Sequence, residues 1–276
     1  MHSPARTTRI ATIALALTAL AALTACDRTS PTAPSAPAAS VAPAASAISA
    51  DRDGGDRDGR AIAFAPQAHP YGRSMIEWSE AWWRWELSVP TARNPSLDST
   101  GEYCAAGQEN EGAAGHVWYL GTTFGGAVTL TRKCTLPRGR ALLVNLSGIL
   151  NDYPCPDTTF HPKPGQSLYN FLALGAKQIV DGVDALTLTV DGRGVPDLFS
   201  YRDPTPLFSF TGNPTLATSI DACITGHPQP AVADGYFVMV KPLDPGTHTL
   251  QFTSHDTMGN YNSLTYDLTV LQDDDR

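Results

Sequence analysis

The sequence predicts a mainly β fold: a β-sandwich of the jelly-roll or immunoglobulin-like kind with one or two packed helices. Three observations support this prediction. Short apolar runs that suit strands recur along the chain, 23 glycines and 22 prolines in 276 residues supply frequent turns, and only two segments show helical patterns. Because 42% of the residues are hydrophobic, the chain can bury a core. We therefore expect a single β-rich domain over residues 61–272.

Two helices are expected to pack on this sandwich. The first begins at Ser74, where the sequence SMIE places a serine at the N-cap and Glu77 three residues later, the pattern of a capping box. It should end near Ser88, because a proline follows two residues later. The second covers residues 166–180, where Ser167 can cap the first turn and apolar residues recur with a helical period.

Seven segments are candidate strands. Each is an apolar or alternating run bounded by turn residues. The Asp191-Gly192 pair is a signal for a tight hairpin turn, and the continuous apolar run at 140–146 predicts a strand buried on both faces. The seven candidates span residues 116–120, 127–134, 140–146, 185–191, 236–241, 248–253 and 263–271.

The first 60 residues carry signals for export and anchoring. Two arginines precede an apolar stretch of about fourteen residues, shorter than the roughly 20 that a membrane-spanning helix needs. The stretch ends in LTAC at residues 23–26, which resembles the lipobox of bacterial lipoproteins. The resemblance implies cleavage of the signal peptide, residues 1–25, and acylation of Cys26. The protein would then be lipid-anchored to the cell envelope, facing the periplasm or the exterior. Residues 26–60 are rich in Ala, Pro and Ser and then in Asp and Arg, which predicts a disordered tether.

Four cysteines remain once Cys26 is assigned to the lipid. An even number in an exported chain favours two disulfides, and the absence of a Cys-x-x-Cys pair disfavours a zinc site. Four cysteines allow three pairings. We favour Cys104–Cys134 with Cys155–Cys223, because these pairs close the shorter loops.

Charge and motifs exclude several classes of function. The net charge of −8 at pH 7 argues against a nucleic-acid partner. The sequence has no phosphate-binding loop, no dinucleotide fingerprint, no His-Glu-x-x-His and no Gly-x-Ser-x-Gly. We therefore expect neither a metal nor a cofactor. Residues 254–256 read Ser-His-Asp, but strand alternation would turn the histidine away from its neighbours, so a catalytic triad is not predicted.

The first helix carries the densest chemical signal, because it contains four of the five tryptophans. At 100° per residue, Trp82 and Trp83 lie on two apolar stripes, and Glu86 lies between those stripes. A carboxylate there must be paired, hydrogen-bonded or protonated if it is buried. One interpretation is a cleft in which Trp82, Trp83 and Glu86 bind a ligand, with Glu86 available as an acid or base. The favoured interpretation is a core helix whose Glu86 pairs with an arginine on a strand. The candidate partners are Arg132, Arg140 and Arg202.

Five short stretches of this domain match a pattern found elsewhere. They are Trp82-Trp83, Gly107-Gln108, residues 123–126 (TFGG), residues 134–137 (CTLP) and residues 241–246 (KPLDPG). Together with the helix, they resemble a family of exported bacterial proteins that have a tryptophan-rich helix, similar β segments and no assigned activity. The resemblance covers roughly residues 74–253. It implies a shared fold and brings no catalytic residues.

Three functions are compatible with these patterns. The first is a membrane-anchored extracytoplasmic binding module for a glycan or another envelope component. The second is an extracytoplasmic hydrolase or lyase that uses carboxylates near the tryptophan-rich helix. The third is a structural envelope protein that binds another protein through a sheet edge. The solvent exposure of Trp83 and Glu86 separates them: an open acidic groove favours the enzyme, an exposed aromatic strip favours the binder, and a closed core with a flat exposed edge favours the structural protein.

Overall fold

A computed structural model describes residues 61–109 and 115–272, which form two β-sheets and two helices. The predicted mainly β fold with packed helices is confirmed. The signal peptide, Cys26 and the tether lie outside the described residues. Helix α1 spans Met75–Ser88 and helix α2 spans Leu168–Val180. The strands are β1 Val117–Leu120, β2 Ala127–Leu136, β3 Ala141–Asp152, β4 Val183–Val190, β5 Arg193–Gly194, β6 Phe208–Thr211, β7 Pro228–Val240, β8 Gly246–Asp256 and β9 Tyr261–Val270.

The two sheets have different strand orders. The four-stranded sheet runs β1-β3-β7-β6, and the five-stranded sheet runs β2-β9-β8-β4-β5. Strand β1 is parallel to β3, and β2 is parallel to β9, whereas the other neighbours are antiparallel. Within the described residues, no helix is long and apolar enough to cross a bilayer.

Two hydrophobic clusters hold three layers together. One cluster joins side chains such as Val144 and Val238 of the four-stranded sheet to Leu250 and Phe252 of the five-stranded sheet. The other joins α1 to the opposite face of the four-stranded sheet, including Phe237. The four-stranded sheet is therefore buried on both faces, as the apolar run in β3 predicted. Along β2 and β9 of the five-stranded sheet, inward residues that are mostly buried alternate with more exposed outward residues, as expected of a sheet with one face in solvent.

Local signals in the sequence placed both helices correctly. The Ser74 backbone N–H donates to the Glu77 carboxylate at 2.8 Å, and the Glu77 N–H donates to the Ser74 hydroxyl at 3.3 Å, which completes the predicted capping box. The Ser167 hydroxyl accepts the N–H of Asn170 at 3.2 Å at the start of α2. The predicted Asp191-Gly192 turn joins β4 to β5, and both residues have positive φ, 50° and 75°.

The sheet is more extensive than the sequence predicted. Strand β3 continues to Asp152, and β7 begins at Pro228, whereas the predicted runs covered only 140–146 and 236–241. The segment before 236 contains two prolines and an Asp-Gly pair, which normally mark loops. Here those prolines pair with the short strand β6 and lie beyond Ala231, the last residue of β7 that pairs with β3, so their missing N–H groups interrupt no ladder with β3.

Both disulfides have the predicted pairing. Cys104 and Cys134 lie 5.7 Å apart at Cα and join the loop before β1 to strand β2. Cys155 and Cys223 lie 4.1 Å apart at Cα and join the loop after β3 to the loop before β7. Two disulfides indicate an oxidising, extracytoplasmic location.

Candidate functional site

The tryptophan-rich helix forms a closed core. The exposed fraction of Trp82 is 0%, that of Trp83 is 5% and that of Glu86 is 0%. The Trp82 indole N–H donates to the Leu120 carbonyl at 2.9 Å, and its ring lies 5.7 Å from that of Phe237. The structure thus brings the three predicted site residues together and encloses all of them. Ligand binding by these residues stays a prediction, and it would require α1 to move.

Glu86 is a buried carboxyl group without a good hydrogen bond. Neither of its carboxyl oxygens has a partner of acceptable geometry, although Ser96 and Asn94 lie close enough to favour the charged form. Burial is the dominant effect and raises the pKa of Glu86 to about 7, against opposing contributions from Ser96, Asn94 and the positive charge of Arg132. The side chain is therefore partly protonated at neutral pH.

Of the three arginines predicted as partners of Glu86, Arg132 is the one whose positive charge lowers the pKa of Glu86. No hydrogen bond is seen between the two side chains. Its guanidinium is buried and donates to four neutral oxygens. These are the carbonyls of Asp98 at 2.7 Å, Thr122 at 2.9 Å and Ser96 at 3.1 Å, and the Tyr266 hydroxyl at 2.8 Å. Arg202 instead forms ion pairs with Asp234 at 2.6 Å and Asp181 at 2.8 Å. Arg132 therefore ties the loops that follow α1 and β1 to strands β2 and β9 of the five-stranded sheet.

A second buried acid was not predicted from the sequence. Asp152, at the end of β3, lies beside Asp221, and burial together with this neighbouring carboxylate raises the pKa of Asp152 to about 7. Gln229 donates to Asp152 at 2.6 Å. The Cys223 sulfur lies within 4.8 Å of both carboxylates, but its bond to Cys155 leaves only the two acids as potential metal ligands. The predicted Cys155–Cys223 disulfide could have indicated that the two aspartates are close together, because Asp152 lies three residues before Cys155 and Asp221 lies two residues before Cys223.

The Ser-His-Asp run at 254–256 forms no triad. Ser254 and Asp256 are buried, and His255 lies on the opposite face of β8. The His255 ring nitrogen Nδ1 is 2.6 Å from a carboxylate oxygen of Asp184. The Asp256 carboxylate accepts the N–H of Asn260 at 3.0 Å and so closes the turn between β8 and β9.

The outer face of the five-stranded sheet is rich in hydroxyl groups. Five positions on each of β2, β8 and β9 and three on β4 point outward, and ten of these eighteen residues are threonine and one is serine. We call this surface the hydroxyl face. Its hydroxyl residues are Thr129, Thr131, Thr135, Thr187, Thr189, Thr247, Thr249, Thr253, Ser263, Thr265 and Thr269. The other seven outward residues are Ala127, Lys133, Ala185, Gln251, His255, Tyr261 and Asp267.

Strand register arranges these side chains in rows across the sheet. One row reads Thr131, Thr265, Gln251, Thr189, and the next reads Thr129, Ser263, Thr253, Thr187. Neighbours within a row are separated by the strand spacing of about 4.8 Å, and successive rows by about 6.7 Å along the strands. The hydroxyls of Thr187 and Thr253 are 2.7 Å apart and hydrogen-bonded. Because β-branched side chains have few χ1 rotamers, each threonine hydroxyl in the rows has a small number of available positions.

A groove of about 430 Å³ lies at one end of the hydroxyl face. Lys133 and Asp267 are cross-strand neighbours in its lining. His248 and Asp191 form an ion pair in its wall, with Nδ1 2.7 Å from the carboxylate. Partial burial opposes charge on both groups, but their hydrogen bond prevails, lowering the pKa of Asp191 and raising that of His248. The groove therefore offers anionic and cationic groups beside several hydroxyls.

The edges of the four-stranded sheet are covered by side chains. On β1, the Gln108 amide donates to the Tyr119 carbonyl at 2.8 Å and accepts the Tyr119 N–H at 3.0 Å. On β6, the Arg84 guanidinium donates to the Ser209 carbonyl at 3.0 Å. These bonds use backbone groups that an incoming strand would need.

One edge of the five-stranded sheet is covered as well. On β2, the Lys133 N–H donates to the Thr100 carbonyl at 2.8 Å. Gly101, at φ +90°, packs so closely there that a Cβ would lie 2.1 Å from the Lys133 carbonyl oxygen. This cover disfavours addition of a strand to β2 by another protein. At the opposite edge, β5 pairs only with Thr189 and Val190 of β4, so residues 183–187 of β4 have no second neighbouring strand among the described residues.

Comparison with known proteins identifies no relative: no protein-family model, curated protein or solved structure matches this chain. Its function has to be inferred from its own surfaces.

Proposed function

We propose that the protein is a non-catalytic extracytoplasmic binding module, held at the envelope by lipid on Cys26, and that its hydroxyl face binds a neutral glycan. The observation that carries the proposal is the composition of this face, where eleven of eighteen outward residues carry aliphatic hydroxyls and the groove adds charged groups at one end. Hydroxyls both donate and accept hydrogen bonds, as the hydroxyls of a sugar do.

The charges on the face suit a neutral ligand. Of the eighteen outward residues, Lys133 and Asp267 are formally charged, and they lie opposite each other on neighbouring strands. Two further carboxylates border the face, and each is paired with a histidine: Asp184 with His255 and Asp191 with His248. Soluble designed proteins are given surfaces with roughly 25–35% charged residues. The net charge of −8 for the chain also repels anionic polymers. Inside the groove, the Asp267 carboxylate accepts and the Lys133 ammonium donates, which matches adjacent hydroxyls of a sugar ring.

The closed tryptophan core provides no exposed aromatic strip, so the binding proposal rests on the hydroxyl face alone. An enzyme that used Glu86 would need access for its substrate, and the Glu86 side chain of α1 is completely buried. A structural protein that added a strand to a partner would need a free edge. The edge strands β1, β2 and β6 have backbone groups already hydrogen-bonded to loops or side chains, and the uncovered part of β4 is only residues 183–187. A surface for binding remains on the hydroxyl face.

Titration calorimetry with soluble polysaccharides tests this proposal. The panel contains a neutral glucan, mannan and galactan, and an anionic polygalacturonate. We expect binding of at least one neutral polymer and at least tenfold weaker binding to it for Asp267→Asn and Lys133→Ala. Lys163→Ala, which removes an exposed lysine from the loop before α2, is the matched control and should bind like the wild type.

The competing functions give different results in the same experiment. Binding to none of the neutral polymers would contradict the proposal, as would tighter binding to the anionic polymer. If size-exclusion chromatography shows that the polymer becomes shorter during incubation, the protein is an enzyme instead.

A further inference from the structure

We infer that the hydroxyl face binds one extended polysaccharide chain that runs across the strands along the threonine rows, an inference that rests on the proposed glycan function. The two central rows each present four polar side chains, one from each of β2, β9, β8 and β4. With about 4.8 Å between strands, a row spans about 14 Å from β2 to β4. A ligand must be several sugar units long to contact the whole row.

The rows are preorganised for such a ligand. The Thr187–Thr253 hydrogen bond joins β4 to β8, and the Gln251 amide donates to the Thr265 hydroxyl at 3.5 Å across β8 and β9. These contacts, with the restricted rotamers of threonine, limit the positions of the hydroxyls before a ligand arrives. Binding therefore loses less side-chain entropy than binding to flexible lysines or glutamates would.

The shape of the sheet favours a single chain over a crystalline surface. Neighbouring strands in a sheet are rotated by about 20–25°, so successive positions in a row do not lie in one plane. A flat crystal would contact only part of the face, whereas a flexible chain can follow the twist. Tyr261, 42% exposed, is the single aromatic among the eighteen outward residues, so the face lacks the ring platform that stacks on flat sugar surfaces.

The groove adds charged contacts for a polysaccharide that is bound along the rows. The row next to the two central ones contains Lys133, Asp267 and Thr249, which also line the groove. A polymer bound along the row of Thr131 and Thr265 lies one row spacing, about 6.7 Å, from these groups. Charged contacts in the groove and neutral contacts in the rows then act on the same ligand.

Thr→Val substitutions test the rows, because valine keeps the branched shape and removes the hydroxyl. Titration calorimetry with the best neutral polysaccharide should give about threefold to tenfold weaker binding for each of Thr131→Val and Thr265→Val, from the loss of one hydrogen bond each. Thr211→Val, at an exposed position in β6, is the matched control and should bind like the wild type. Melting curves should show that all three variants fold.

A series of oligosaccharides of increasing length tests the extended mode. Affinity should rise with length until the oligosaccharide spans the four strands and should then level off. Equal affinity for a disaccharide and the polymer would overturn the inference, as would binding to the crystalline but not the soluble form of the polymer.

The two proposals fail in different ways. If Thr131→Val and Thr265→Val bind like the wild type while Asp267→Asn loses binding, the glycan function stands and the row inference is wrong. If no neutral polysaccharide binds the wild type, both are wrong.

Discussion

Replacing Glu86 with glutamine should remove a large pH dependence from the stability of this protein. Burial raises the pKa of the folded carboxyl to about 7, from an ordinary value of 4.5. The folded state therefore holds the proton more tightly than the unfolded state does. The stability that this proton supplies is fully present below pH 4.5 and is lost as the pH rises towards 7.

The size of the effect follows from the difference between the two pKa values. At roughly 1.4 kcal/mol per pH unit, the interval from 4.5 to about 7 corresponds to about 3 kcal/mol. The glutamine side chain of the variant cannot titrate. Its buried amide adds an unfavourable contribution of about 1–3 kcal/mol that does not vary with pH. Near pH 4.5, Glu86→Gln should therefore be less stable than the wild type. Between pH 4.5 and pH 8 the wild type should lose about 3 kcal/mol of stability that the variant does not lose.

Urea unfolding at pH 4.5, 6, 7 and 8, with the disulfides intact, measures this difference. Glu102→Gln, at an exposed position before Cys104, is the control and should follow the wild type at each pH. Asp152 and Asp203 also have pKa values raised to about 7. Their contribution cancels when the free energy of unfolding of each variant is subtracted from that of the wild type at the same pH. Parallel stability curves for Glu86→Gln and the wild type would refute the reasoning, because they would show that Arg132 stabilises the charged carboxylate as well as water does.

Three further predictions concern the covalent framework and the N-terminus. Mass spectrometry of the mature protein should find a diacylglyceryl group on Cys26, and a free N-terminus elsewhere would contradict it. Removing residues 27–60 should change the melting temperature by only a few degrees, because their composition offers no core, and a large drop would show that this segment docks on the domain. Replacing both Cys104 and Cys134 by serine should cost about 3–4 kcal/mol in urea unfolding, from the 30-residue separation of the pair. An unchanged midpoint would show that the bridge does not form.

The sequence predicted those features that depend on local or covalent signals. The capping box at Ser74 fixed the start of α1 within one residue, since both partners lie within a single turn. Cysteine spacing predicted both disulfides. Helical angles placed Glu86 inside the apolar arc, and the structure confirms its burial.

Features that depend on distant pairing were not predicted. The sequence identified three arginines as partners for Glu86, but only the strand order decides that Arg132 is near it. The alternation of threonines in β2, β8 and β9 is visible in the sequence. Their assembly into rows depends on the register of four strands, and their exposure depends on α1 packing against the other sheet.

Nuclear magnetic resonance of the isotope-labelled protein, titrated with the neutral polysaccharide that binds best, locates the binding surface. Backbone amide signals of Thr131, Thr249 and Thr265 should shift, because the ligand lies on the hydroxyl face. The indole N–H signals of Trp82 and Trp83 should stay in place, since both rings are buried between α1 and the rest of the protein. Shifts of those indole signals without shifts of the threonine amides would show instead that the ligand binds at the tryptophan-rich helix.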